Sequence, residues 1–177
     1  MPKETYIRLA AREFRRAKAL ADGAMEQVTP DQFFAAPSEG DNCIAVIVKH
    51  VGGNLLSRWT DFLTSDGEKP GRNRDVEFDI TTSDTQQSLM KQWEPGWAAL
   101  FSALEPLSDA DLERIITIRG EPFTVLQAIN RQLTHYSYHV GQIVYVAKHY
   151  AGGSWRTLSV AKGKSKEFNA KPTKYIK

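Results

Sequence analysis

The chain has 177 residues, 41% of them hydrophobic, which suffices for one domain with a sizeable core; residues 154–177 form a tail on it. Its 23 basic and 21 acidic residues leave a net charge of +2, which argues against a general nucleic-acid or membrane binder. Cys43 is the single cysteine, so the chain has no internal disulfide framework and a reducing, cytoplasmic setting is expected; no apolar run approaches the roughly 20 residues of a bilayer span.

Ala10, Phe14, Ala17, Ala21, Met25 and Val28 recur at helical spacing and predict a first helix over 5–28, stopped by Thr29-Pro30. Its arginines resemble those of a mitochondrial presequence, but Glu4, Glu13 and Asp22 interrupt them, so a core helix with a basic outer face is expected. A second helix is predicted over 42–64, capped by Asp41 or Asn42, with Ile44, Val48, Val51, Leu55 and Phe62 on its apolar stripe. Gly52 and Gly53 fall inside it. Each costs up to about 1 kcal/mol relative to Ala, which suggests that a neighbouring group needs the space.

Residues 65–82 read as a long crossover that lets the second and third helices run parallel. The third helix is predicted over 83–104, with a Ser83/Gln86 capping box and a kink or break at Pro95-Gly96. A helical turn within 108–114 and a short strand at 115–118 with a turn at 119–121 follow. The fourth helix is predicted over 124–150, opened by a Thr124/Gln127 capping box and ended by Gly152-Gly153. The fold class is therefore all-α: a four-helix bundle with one long crossover and at most short strands.

Three histidines carry the chemistry. His135 and His139 are spaced i, i+4 on the fourth helix, about 40° apart in projection, with Gln142 about 20° to the other side. His50 on the second helix could converge with them. Neutral imidazoles offer lone pairs to zinc, nickel, copper or iron(II), and three of them leave a coordination position open. Asn54, Gln142 or Tyr138 could orient ligands or substrate. The same spacing also suits histidines that only hydrogen-bond, and Tyr136 stands where the glutamate of an H-E-x-x-H protease would be. Cys43 reads as a small core residue and His149 as a partner for the helix C-terminus. Lys162, Lys164, Lys166, Lys171, Lys174 and Lys177 read as a solvated tail rather than a nucleic-acid contact.

The arrangement of His50 in Lys49-His50-Val51-Gly52-Gly53-Asn54 and of the His135/His139 pair resembles the DinB/YfiT-like superfamily of metal-binding four-helix bundles. Residues 57–70, 128–135, 139–143 and 166–171 are similar to a DinB-related subfamily of unknown function. The resemblance implies a divalent metal, nickel or zinc, held by His50, His135 and His139, and frequently a homodimer. It implies a metal-dependent transferase or hydrolase that activates water or a low-molecular-weight thiol against a small electrophile. The alternative is a non-enzymatic, stress-related metal-binding bundle. No residue is assigned as general base.

Overall fold

The computed structural model describes residues 5–171. In chain order it contains α1 (Tyr6–Met25), α2 (Pro30–Phe34), α3 (Ile44–Trp59), α4 (Gln86–Leu104), β1 (Ile115–Ile118), β2 (Glu121–Thr124), α5 (Val125–Ala151) and α6 (Ser165–Ala170). The chain is thus the expected helical bundle, built on the four long helices α1, α3, α4 and α5.

The helix directions follow from what touches what. Along α3 and α4, Lys49 reaches Asp84, Gly52 meets Gln92 and Gly96 meets Leu55, so the two helices run the same way. Along α1 and α5, Tyr6 meets Asn130 and Gln27 meets Arg156 just past the helix end, so these also run together. Lys18 pairs with Glu94 and Arg15 lies over Phe101, which sets α1 against α4. The result is an up-down-down-up bundle, and the parallel α3–α4 pair is what makes a long crossover necessary. Phe14, Trp59, Trp97 and Tyr136 form a buried aromatic centre with ring centroids 5.5–5.9 Å apart. A Cβ on Gly96 would lie 2.9 Å from Leu55 Cβ, so this glycine lets α3 and α4 approach closely.

Several boundaries differ from the sequence expectation, each for a local reason. α3 ends at Trp59 rather than near residue 64, and Asp61 turns the chain with φ +48°. Ser57 Oγ donates to the Gly67 carbonyl at 2.8 Å and accepts from Lys69 N–H at 3.0 Å, drawing the chain back over the helix end. Neither Asp41 nor Asn42 caps α3; buried Cys43 takes that position and makes no side-chain capping bond, because the helix starts inside the core.

α4 opens on a Thr85/Ser88 capping box instead of Ser83/Gln86. Asp84 is engaged with Thr81 and Lys49, and Ser83 bonds Thr81, so residues 81–84 close a turn of their own. Pro95 lies within α4 and does not break it. The proline is exposed while Trp93 and Trp97 on either side are fully buried, so core packing carries the helix past it.

The strand at 115–118 has an antiparallel partner, β2, that the sequence reading left out. Arg119 and Gly120 both have positive φ, 57° and 76°, the geometry of a two-residue hairpin turn with the twist that strands favour. In the tail, Trp155 and Leu158 pack on the core, and residues 165–170 form a short helix. Lys174 and Lys177 lie outside the described residues. No helix among the described residues is long and apolar enough to cross a membrane.

Candidate metal centre

The structure brings all three predicted histidines together. His50 comes from the middle of α3, and His135 and His139 from successive turns of α5. One ring nitrogen from each lies within 4.8 Å of the others. His50 Nε2 and His135 Nε2 are 3.3 Å apart. Zinc–imidazole bonds of about 2.0–2.1 Å in a tetrahedral shell place ligand nitrogens about 3.3–3.4 Å apart, so this pair already has the separation a shared ion requires.

The tautomers suit a cation. Glu77 Oε2 can only accept, so His50 Nδ1–H donates to it at 2.8 Å, and in the neutral tautomer this leaves the Nε2 lone pair facing His135. His139 Nδ1 lies 2.9 Å from Gln142 Oε1 and donates likewise. Burial, with His139 and His50 alongside, lowers His135 from 6.5 to about 3. Burial also lowers His139, against the opposing effect of the hydrogen bond it donates to Gln142. These two rings therefore stay neutral, as metal ligation demands. His135 Nδ1 is buried without a hydrogen-bond partner.

The support for this cluster comes from the crossover. Glu77 sits in a 3₁₀ turn, Asp75–Phe78, and its side chain is buried. Arg72 Nε and Nη2 grip its two oxygens at 2.7 and 2.8 Å. Burial by itself would raise the Glu77 carboxyl, but the hydrogen bonds from His50 and Arg72 prevail and hold it below the usual range. Arg72 also reaches Glu68, which accepts from Arg58 and from Arg119 in the hairpin turn. Asp66 accepts from the Arg119 and Gly120 amides, both at 2.8 Å, and Gly67 N–H bonds the Thr117 carbonyl, also at 2.8 Å. The crossover is thereby tied to the β1–β2 hairpin on one side and to His50 on the other.

Gly53 explains its own presence. A Cβ there would lie 2.4 Å from Glu77 Oε1, so any larger residue would push the carboxylate out of the place where Arg72 and His50 hold it. Gly52 faces Gln92 of α4, where a Cβ would meet atoms at 3.3 Å.

A cavity of about 780 Å³ opens beside the three rings. Arg58, Arg72, Arg74, Arg119 and Arg131 line it, together with Gln132 and Tyr138. Gln132 is buried, with Oε1 lacking a partner, one turn before His135. Of the residues expected to support the histidines, Gln142 does so. Asn54 instead accepts from the Tyr136 hydroxyl at 3.0 Å, and that tyrosine is core, taking the Trp59 indole N–H at 3.1 Å. Tyr138 is exposed, with its ring 5.0 Å from His139. Cys43 is buried outside the cluster, and His149 sits in the last turn of α5. Sequence reasoning missed Glu77 and Arg72. The one signal that pointed at Glu77 was the paired glycine in a helix.

Comparison with known proteins adds a family and a fold. A search of curated proteins finds no match. A crystal structure of a conserved protein from Enterococcus faecalis is similar, with a TM-score of 0.62 at 15% identity, covering 85% of this chain and 99% of that one. At that identity the likeness speaks for the fold alone. The profile of a family of unknown function, DUF1572, matches residues 2–164. The chain belongs to the DUF1572 family.

Proposed function

We propose that His50, His135 and His139 hold a divalent metal, nickel or zinc, in an enzyme that activates water or a low-molecular-weight thiol for attack on a small electrophile. The observation that carries this reading is the convergence of the three ring nitrogens within 4.8 Å at the wall of an open cavity. The likeness of this layout to the DinB/YfiT-like superfamily supports it. A bound divalent ion supplies Lewis acidity, which makes a coordinated water or thiol nucleophilic near neutral pH.

The chain's own residues do the rest. Glu77 and Gln142 fix the His50 and His139 rings so that Nε2 of each remains a ligand. Arg72 keeps Glu77 ionised and in place. Among the described residues, no carboxylate lines the cavity, so no side-chain general base is assigned. Gln132 lines the cavity one turn before His135. The test is to load the protein with zinc or nickel and assay a panel of electrophiles with and without thiols. Thiol- or water-dependent turnover lost in His139→Ala supports the reading; full metal loading without any turnover contradicts it.

A second reading takes the metal as structural in a non-enzymatic, dimerising bundle. It draws on the way His50 and Glu77 join α3, α5 and the crossover at one point. Exposed Tyr138 and Tyr145 on α5 offer a face for a second copy. On this reading His139→Ala lowers thermal stability or assembly, and there is no turnover to lose.

A further inference from the structure

We propose that the cavity selects a small molecule bearing an oxyanion, a carboxylate or a phosphate, and that Arg74 and Arg131 bind that group. This rests on reading the histidine cluster as the reacting centre, and it names the substrate class of the same site.

The charge inventory is one-sided. Five arginines line the cavity, and no Asp or Glu does among the described residues. The carboxylates that answer them, Glu68 and Glu77, are committed to Arg58, Arg72 and Arg119. Arg74 and Arg131 have no carboxylate partner among the described residues. Each is instead held over an aromatic face: Arg74 lies 4.9 Å from the Phe78 ring centroid and Arg131 lies 6.0 Å from that of Phe123. Such stacking fixes a guanidinium plane while leaving its N–H edge free for an acceptor.

Both arginines are placed at the reacting centre. The Phe78 ring beneath Arg74 lies 4.8 Å from the His50 ring. Arg131 is four residues before His135 on α5, one turn away on the same side of the helix. An acid bound between them would put the remainder of a small molecule against the three histidines. Deeper in, Arg58 is 4% exposed and its Nε has no partner, a buried cationic donor in the same cavity wall. Guanidinium edges match carboxylate and phosphate equally well, and excess positive charge inside a low-dielectric cleft concentrates anions there.

The experiment is calorimetric titration at low ionic strength with succinate, methyl phosphate and the uncharged succinamide. It uses the protein both as purified and after chelator treatment. Saturable binding of either acid, no binding of succinamide, and at least a tenfold loss in Arg74→Gln/Arg131→Gln is the expected result. The exposed Arg114→Gln serves as the control and should bind as wild type. The ratio of the two acids says which oxyanion the site prefers. No binding of either acid, equal binding of succinamide, or full binding by the double variant overturns the proposal. The chelator-treated arm separates the two readings. Anion binding without metal uptake would remove the metal reading alone, and metal uptake without anion binding would remove this one alone.

Discussion

Glu77→Gln tests how the crossover supports the histidines. The Glu77 carboxylate takes three short hydrogen bonds: His50 Nδ1 at 2.8 Å, Arg72 Nε at 2.7 Å and Arg72 Nη2 at 2.8 Å. Glutamine keeps the shape, removes the charge and turns one acceptor into a donor. That donor must face either an Arg72 N–H or the His50 N–H, so one contact becomes repulsive. Arg72, with its side chain 5% exposed, loses its main counter-charge. Breaking a buried ion pair from one side costs about 3–5 kcal/mol. Glu68 remains 3.3 Å from Arg72, so a loss of about 2–3 kcal/mol is expected, below that range. Loss of a carboxylate that orients a ligating histidine weakens metal affinity by about tenfold to a hundredfold, or about 1.4–2.8 kcal/mol. Urea unfolding of the metal-free variant gives the first quantity, and zinc competition against a chromophoric chelator gives the second. A variant with wild-type stability and wild-type zinc affinity would refute the reasoning.

Gly53→Ala should destabilise the fold and weaken zinc binding despite alanine's better helix propensity, because its Cβ would collide with Glu77 Oε1. Gly141→Ala, inside α5 with open space around it, should raise stability by about 0.5–1 kcal/mol; thermal melts of the pair check both directions. For the metal-free protein, His135 at about 3 means that the unfolded chain binds more protons between pH 3 and 6.5. Its contribution is therefore complete above pH 6.5 and is lost as pH falls toward 3, at no more than about 1.4 kcal/mol per pH unit, reduced by its partial exposure. Urea midpoints at pH 7.5, 5.5 and 4.5 should fall less steeply in His135→Asn than in wild type; parallel curves would contradict this.

The parts of this molecule legible in its sequence are those set by local spacing. His135 and His139 share a face because they are four residues apart on a helix, and the Thr124/Gln127 box marks where that helix starts. The parallel course of α3 and α4 followed from the length of the crossover. Glu77 was hidden because nothing periodic marks it: it approaches His50 from 27 residues away, in a loop whose shape is set by Asp66, Glu68 and the hairpin. Its imprint is Gly53, an otherwise unfavourable residue whose missing side chain makes room. The start of α4 falls two residues later than the Ser83/Gln86 pattern suggested because the Lys49–Asp84 pair, formed across the bundle, helps hold residues 81–84 in a turn and leaves Thr85 to cap the helix. The early end of α3 likewise depends on a distant carbonyl, that of Gly67.

Elemental analysis of the purified protein, beside His50→Ala, His135→Ala and His139→Ala, bears most directly on whether three imidazoles share one cation. About one zinc or nickel per chain in the wild type, falling to a small fraction in each variant while the helical spectrum is kept, is the expected result. Wild-type protein that takes up no divalent metal on reconstitution, or variants that keep a full complement, would contradict it.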